Sequence, residues 1–158
     1  MIFVTVGTQL PFDRLIKMVD EIAISRTEDY FAQVGQSTFT PANMMWSRAI
    51  SPGEIGEYLN KCRLVISHAG IGTILSAQRY EKPIILVPRL ASEGEHRNDH
   101  QSATCEQLAH LQGVYIARNK SELLGYLERP DLVSPDQNTS KLKQLRFAEQ
   151  VAQEIRSL

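Results

Sequence analysis

Cysteine is scarce in this chain. The 158 residues include two cysteines, Cys62 and Cys105, whose separation matches neither a zinc site nor a CxxC redox motif. Both have flanks of helical character, so we expect buried or idle thiols. The cysteine content gives no support to a structural zinc site, and nothing in it demands an oxidising compartment.

An excess of charge of either sign is also lacking. Lysine and arginine total 17 residues against 18 aspartate and glutamate residues, which gives a net charge of -1. This balance argues against nucleic acid as a partner, because a nucleic-acid-binding face is normally strongly basic. Apolar residues make up 42% of the chain and charged residues 22%, as in an ordinary globular domain with one core.

Long apolar runs are missing as well. The apolar start, Met1–Val6, stops at Gly7 and has neither a basic beginning nor a cleavage site, so it is too short for a signal peptide. No other run approaches the length of a membrane span. We therefore expect a cytoplasmic protein that another molecule must hold if it works at a membrane.

Short β-branched runs alternate with amphipathic stretches along most of the chain. Repeated strand-then-helix units of this length predict an α/β fold with a doubly wound parallel sheet. The predicted strands are Ile2–Val6, Tyr30–Val34, Met44–Trp46, Leu64–Ser67, Ile84–Val87 and Val114–Ala117. The predicted helices are Pro11–Ile24, Gly53–Asn60, a helix from the glycine-bearing segment to about Tyr80, Asp99–Leu111 and Lys120–Leu127.

The end of the chain differs from this pattern. Residues 129–139 contain two prolines with Asp, Asn and Ser and indicate a linker after a domain of residues 1–128. Apolar residues then recur at steps of three and four, which predicts a C-terminal amphipathic helix over residues 140–158. That helix either folds back onto its own sheet or docks on a partner chain.

Ligands of doubly wound sheets bind where the carboxyl ends of the strands meet, and three loops of that kind carry unusual residues. The first begins at Gly7 and Thr8, directly after the first strand. Glycine lets the backbone approach a ligand, and Thr8 offers a hydroxyl and an N–H. A plain turn with a helix cap explains this loop equally well.

The second loop is Ser67–Thr73. Gly70 and Gly72 remove side chains at a predicted helix N-terminus, where unpaired N–H groups and the helix dipole attract phosphate, and Thr73 adds a hydroxyl. The segment is neither a Walker loop nor a GxGxxG fingerprint, and binding by backbone amides needs no metal. His68, just before the glycines, either hydrogen-bonds locally or faces the ligand.

The third loop is Glu93–Gln101, which carries acidic, amide, imidazole and guanidinium groups within nine residues. Its acids could accept sugar hydroxyls. Asn98 with Gln101 could also serve as an ordinary helix cap, and the two roles are compatible. His96 and His100 have a possible metal spacing, but no third ligand accompanies them, so we expect no metal site.

With these loops in view, the chain resembles the C-terminal domain of family 28 glycosyltransferases, and in particular the small UDP-sugar-binding subunits of two-chain transferases. The segments Val4–Thr8 and Phe12–Asp13 are similar to the small subunits in general. The run Pro88–Gln101 resembles the bacterial branch that builds capsule or exopolysaccharide. The likeness spans about residues 1–128.

The resemblance implies a Rossmann-like C-terminal half of a GT-B enzyme, with a UDP-sugar lying across the strand ends. The diphosphate would bind at Gly7, Thr8 and Gly70–Thr73, and the uracil near the backbone of Ala49–Ser51. Ser76 stands where many relatives have an acid that binds ribose, so ribose recognition departs from the family pattern. The implied donor-binding residues are Gly7, Thr8, His68, Gly70, Ile71, Gly72, Thr73, Ser76, Asn98, Asp99 and Gln101.

The resemblance also implies an activity. The chain would be the donor-binding subunit of an inverting glycosyltransferase that moves a hexose or GlcNAc from UDP to a lipid-linked acceptor without a metal or other cofactor. A membrane-anchored partner subunit would supply the N-terminal half, and the isolated chain could form a homodimer. His68 and Glu93 are the candidate catalytic bases, although the partner could supply this group. The alternative is a non-catalytic nucleotide-sugar-binding or regulatory subunit.

Overall fold

The β-branched runs form one parallel sheet. The computed structural model describes residues 1–136 and two isolated helical positions, Ala148 and Gln153. The strands are β1 (Ile2–Thr5), β2 (Tyr30–Gln33), β3 (Met45–Ser47), β4 (Leu64–His68), β5 (Ile84–Val87) and β6 (Val114–Ile116). Their order in the sheet is β3-β2-β1-β4-β5-β6, and every neighbouring pair is parallel. The predicted doubly wound α/β fold is confirmed.

Helices cover both faces of this sheet. They are α1 (Asp13–Ala23), α2 (Pro52–Lys61), α3 (Ile71–Arg79), α4 (His100–Leu108) and α5 (Lys120–Leu127), with a short 3-10 helix at Ala91–Glu93. One apolar cluster contains the buried faces of α1 and α5, and a second contains those of α2, α3 and α4. This arrangement explains why β5 is aliphatic throughout, since a central parallel strand is buried on both sides.

Both cysteines are buried, as expected from the sequence. Burial raises the pKa of each thiol, that of Cys105 to about 12. Such thiols stay protonated at neutral pH and act as small apolar side chains.

The starts of α1 and α4 differ from the prediction near the strand-end loops. Helix α1 begins at Asp13 rather than Pro11, and the Pro11 carbonyl accepts a hydrogen bond from Arg89. The N-cap of α4 is Asp99, whereas Asn98 was predicted as the cap with Gln101 as its partner. The Asn98 side chain instead accepts from the His100 N–H at 3.1 Å, a short-range bond typical of Asn before a helix.

The region after α5 is described as far as Asp136. Residues 129–136 form neither helix nor strand; Leu132 packs against the core, and the Val133 N–H donates to the Tyr115 hydroxyl at 3.0 Å. The predicted helix over 140–158 lies outside the described residues except for Ala148 and Gln153. The division at 128 and 139, and both suggested docking modes of the helix, stay predictions. No helix within the described part of the chain has the length and apolar character needed to cross a membrane.

Candidate functional site

The strand order reverses between β1 and β4, so the chain leaves these neighbouring strands in opposite directions. Thr5 at the end of β1 is in register with Ser67 near the end of β4. The first and second predicted loops therefore lie side by side at the topological switch point, where doubly wound sheets bind their ligands.

The imidazole of His68 fills the space between these two loops. A Cβ atom placed on Gly7 would lie 2.7 Å from the His68 Cε1 atom, and one placed on Gly70 would overlap the Nε2 atom. Gly7 also has a φ of +76°, which favours glycine. The two glycines thus accommodate the ring, a reason for their presence that the sequence did not show.

His68 is neutral at physiological pH. Burial is the main factor that lowers the pKa of its imidazole to about 4, and the positive charge of Arg89 lowers it further. The ring hydrogen-bonds the Thr5 backbone, and its Nδ1 lies 3.3 Å from the Ser67 hydroxyl. These bonds agree with the local role that the sequence left open.

This low pKa predicts a pH-dependent contribution to stability. Because unfolded His68 binds a proton below its ordinary pKa of 6.5, while the folded protein takes it up only near pH 4, stability is lost as the pH falls from 6.5 to 4. At pH 5 we expect the loss in unfolding free energy to be about 2 kcal/mol larger in the wild type than in His68→Gln. Urea unfolding of both proteins at pH 7 and pH 5 measures the difference, and parallel pH dependence would contradict it.

The second loop ends in an open helix N-terminus. Gly70 is the N-cap of α3 and makes no side-chain capping bond. The first-turn amides of Ile71, Gly72 and Thr73 have no acceptor within the helix, because helical bonding starts at the Ile74 N–H. Apart from its neighbours in the chain and the backbone of α3, no heavy atom of the described residues lies within 4 Å of a Cβ placed on Gly72. An anion therefore has both donors and space at this helix start.

A residue that the sequence analysis missed braces the first loop. Gln33, buried at the end of β2, accepts from the Thr5 hydroxyl at 2.6 Å. Its amide nitrogen donates to the carbonyls of Gly7 and Arg48 at 3.2 and 3.0 Å. The sequence feature that could have identified it is a glutamine at the end of an otherwise apolar strand. Gln33 links the ends of three strands, and Thr8, two residues after Val6, remains exposed above them.

The third loop is held by an ion pair. Glu95 binds Arg14 through two bonds of 2.8 and 2.9 Å, and one of its oxygens also accepts from the Leu90 N–H at 2.9 Å. Its carboxylate is thus engaged within the protein rather than left for a sugar. By contrast, Glu93 is exposed at the end of the 3-10 helix, and its side chain has no hydrogen bond to any described residue.

The predicted sugar-binding residues each use one side-chain oxygen within the protein. Asn98 was described above; Asp99 accepts from the Ala91 N–H at 3.1 Å, and Gln101 accepts from the Arg89 N–H at 3.0 Å. Among the described residues, their remaining polar atoms (Asn98 Nδ2, Asp99 Oδ2 and Gln101 Nε2) have no hydrogen-bond partner. The loop is therefore internally ordered and still offers one polar group from each residue.

The predicted ribose position is on α3, and the predicted uracil segment lies between β3 and α2. The Ser76 hydroxyl donates to the Gly72 carbonyl at 3.0 Å, so only its acceptor side is available to a ribose hydroxyl. The segment Ala49–Ser51 follows β3, and Ser51 caps α2 through a capping box with Glu54. Within the described residues, no three His, Cys, Asp or Glu side chains converge as metal ligands would, and His96 and His100 belong to no such group.

Comparison with known proteins agrees with this architecture. A curated relative, the UDP-N-acetylglucosamine transferase subunit ALG13 of Debaryomyces hansenii, is 36% identical over 58 residues, which are 37% of this chain and 26% of that protein. The chain thus spans about a quarter of the length of this relative. The solution structure of ALG13 has a TM-score of 0.62 at 18% identity, covering 91% of this chain and 93% of that one.

Two larger proteins contain a similar fold. MurG of Acinetobacter baumannii has a TM-score of 0.56 at 19% identity over 83% of this chain and 42% of its own. The glycosyltransferase SnogD of Streptomyces nogalater has a TM-score of 0.53 at 24% identity over 76% of this chain and 31% of its own. The sequence pattern of the glycosyltransferase family 28 C-terminal domain matches residues 1–155, and this chain belongs to that family.

Proposed function

We propose that this chain is the donor-binding subunit of an inverting glycosyltransferase that moves a hexose or GlcNAc from a UDP-sugar to a lipid-linked acceptor. The observation that carries the proposal is the open N-terminus of α3 at the switch point of a family 28 C-terminal domain. The similarity of Pro88–Gln101 to the bacterial polysaccharide branch suggests capsule or exopolysaccharide synthesis.

The diphosphate is placed at Gly7, Thr8 and the first-turn amides of α3. In the transferase reaction the bond between the anomeric carbon and the β-phosphate oxygen breaks, and negative charge grows on the departing UDP. Backbone N–H groups and the positive end of α3 are already oriented toward that charge and stabilise it without reorganising. This mechanism asks for no metal or other cofactor.

The rest of the donor follows from the remaining loops. The free polar groups of Asn98, Asp99 and Gln101 are available for sugar hydroxyls, and the backbone of Ala49–Ser51 for the uracil. Ser76 provides one acceptor for the ribose, where many relatives have a carboxylate. We therefore expect weaker ribose recognition than in those relatives.

Inversion also needs a base that removes the proton from the acceptor hydroxyl. A pKa of about 4 makes His68 a poor proton acceptor at neutral pH, and its ring is packed between two glycines. Glu93 is exposed and is the better candidate in this chain. The second chain is the other possible source, because the acceptor lies between the two halves of a GT-B enzyme.

The proposed partner is a membrane-anchored subunit that supplies the N-terminal half. It would hold this chain at the cytoplasmic face of the membrane, with residues 140–158 as a contact. Two findings support a partner: the family pattern describes a C-terminal domain, and the curated relative is named a subunit. In the absence of the partner, two copies of the isolated chain could associate through the surface that otherwise contacts the partner.

Calorimetric titration of the isolated chain with UDP, UMP and uridine tests the donor site. We expect UDP to bind more tightly than UMP and uridine, because the β-phosphate adds contacts to the amides of α3. A panel of UDP-sugars then identifies the donor. Equal affinity for UDP and uridine, or no binding of either, would rule out the proposed site.

Transfer assays separate the proposal from the non-catalytic alternative. We expect transfer to a lipid-linked acceptor only when the chain is combined with its membrane partner. The control is a donor-site variant that still forms the complex. Full transfer activity in that complex would favour a regulatory subunit, and robust transfer by the isolated chain would refute the need for a partner.

A further inference from the structure

Arg89 is a buried cation next to the proposed donor site, and none of the donor contacts proposed above involves it. It follows β5 after Pro88, and the residue is 2% exposed. No carboxylate of the described residues lies within ion-pair distance of its guanidinium, although the negative charge of Glu95 acts on it from farther away. An unpaired buried charge is costly unless hydrogen bonds satisfy it, so its partners indicate what it is for.

Those partners are three backbone carbonyls of a single loop. One terminal nitrogen donates to the carbonyls of Val6 and Leu10 at 2.7 and 2.9 Å, and the other donates to the carbonyl of Pro11. Val6 lies at the beginning of the β1–α1 loop, and Leu10 and Pro11 lie at its end. The guanidinium therefore ties the two ends of this loop together.

The loop has little else to hold it. Thr8, Gln9 and Leu10 are exposed, and among the described residues the only hydrogen bonds of residues 8–11 are those to Arg89. Gly7 is bonded separately by the Gln33 side chain, as described above. The path of the chain from residue 8 to residue 11 thus depends on Arg89.

Arg89 is itself fixed from two further directions. Its guanidinium carbon lies 4.7 Å from the centre of the Phe12 ring, just before α1. Its backbone N–H donates to the Gln101 side chain in the first turn of α4. A cation stacked on an aromatic ring and anchored through its own backbone can place a loop accurately.

We propose that Arg89 is a positioning residue for donor binding, which holds the β1–α1 loop so that Gly7 and Thr8 meet the diphosphate. The inference rests on the proposed function, since it assumes that a nucleoside diphosphate binds at this loop. Arginine can make these contacts because the two terminal nitrogens of its planar guanidinium donate hydrogen bonds to three carbonyls. A lysine ammonium keeps the charge but cannot reproduce that geometry.

The test compares Arg89→Lys and Arg89→Met with Asp20→Asn as a matched control. Asp20 is also a buried charged residue that binds backbone amides, those of Ala42 and Asn43, but these lie before the amino-terminal end of the edge strand β3. Thermal unfolding, titrations with UDP and uridine, and NMR order parameters of the backbone amides at positions 8–10 are measured for each folded variant.

We expect Arg89→Met to weaken UDP binding at least tenfold, with uridine affinity within twofold of wild type and lower backbone order parameters at positions 8–10. Arg89→Lys should recover part of the UDP affinity. Asp20→Asn should lower thermal stability without changing either titration. If Arg89→Met does not fold, a smaller loss of UDP affinity in Arg89→Lys, with uridine affinity unchanged, supports the proposal.

Two results would overturn the proposal. One is UDP affinity and loop order parameters at wild-type levels in the folded Arg89 variant. The other is an equal loss for UDP and uridine, which would show a general disturbance rather than a misplaced loop. Failure of the wild-type chain to bind UDP would instead refute the proposed function, and with it the role of Arg89 toward the donor.

Discussion

Replacing Gly72 with aspartate should abolish UDP binding and leave the protein at least as stable as the wild type. The Cβ position of Gly72 faces open space in the first turn of α3, so the new side chain meets no steric conflict. A carboxylate there interacts favourably with the helix dipole, which stabilises the fold. The same carboxylate repels a diphosphate: two unit charges about 4 Å apart near a protein surface repel by about 4 kcal/mol, or about a thousandfold in Kd.

Because stability and UDP binding should change in opposite directions, this substitution distinguishes a loss of the diphosphate site from a loss of folding. Gly72→Asn has nearly the same shape without the charge and should retain most of the affinity. Gly125→Asp places the same carboxylate in open space near the C-terminal end of a different helix, α5, and should not affect UDP binding. Calorimetric titration with UDP and urea unfolding of all three variants provide the measurements. Wild-type affinity in Gly72→Asp would show that the diphosphate does not bind at α3.

Replacing Gly70 with alanine should have the largest effect on folding among the glycine substitutions in this loop. The added Cβ would overlap the imidazole of His68, and that ring cannot swing away because Gly7 lies on its other side. Overpacking of this kind costs about 3 kcal/mol where the neighbours cannot yield. UDP binding should weaken as well, because the displaced ring or helix start changes the space between the two loops.

Gly72→Ala is the matched control for this variant. It adds the same methyl group two residues later, where the described residues place no atom within 4 Å apart from α3's own backbone and the adjacent residues, and it should leave stability unchanged or slightly higher. A double-mutant cycle with His68→Ala tests the cause. The alanine at position 70 should cost little once the ring is absent. An equal cost with and without His68 would place the strain elsewhere.

The sequence was sufficient for the fold because strand and helix signals are local. Apolar β-branched runs such as Ile84–Val87 identified the strands within a residue or two, and their alternation with helices implied a parallel sheet. The glycine-bearing segment identified the loop at the switch point for the same reason. Its open helix start follows directly from residues 70–73.

The rest of the candidate site depends on contacts between distant parts of the chain. Arg14 and Glu95 are 81 residues apart, and Arg89 reaches Val6 over 83 residues, so no local pattern reveals either interaction. The same reason explains the wrong cap at α4. Gln101, expected to complete a capping box, is drawn to the backbone of Arg89, twelve residues earlier in the chain.

The imidazole of His68 also makes the candidate site observable. It is one of four histidines in the chain, and its Cε1–H group lies against Gly7. Because its pKa is about 4, its NMR signal does not shift through protonation between pH 6 and 8. A movement of that signal at neutral pH therefore reports a change around the ring other than its own protonation, such as ligand binding or a shift of the loops. The ring is an intrinsic NMR probe that lies between Gly7 and Gly70, so the candidate site can be followed without an added label.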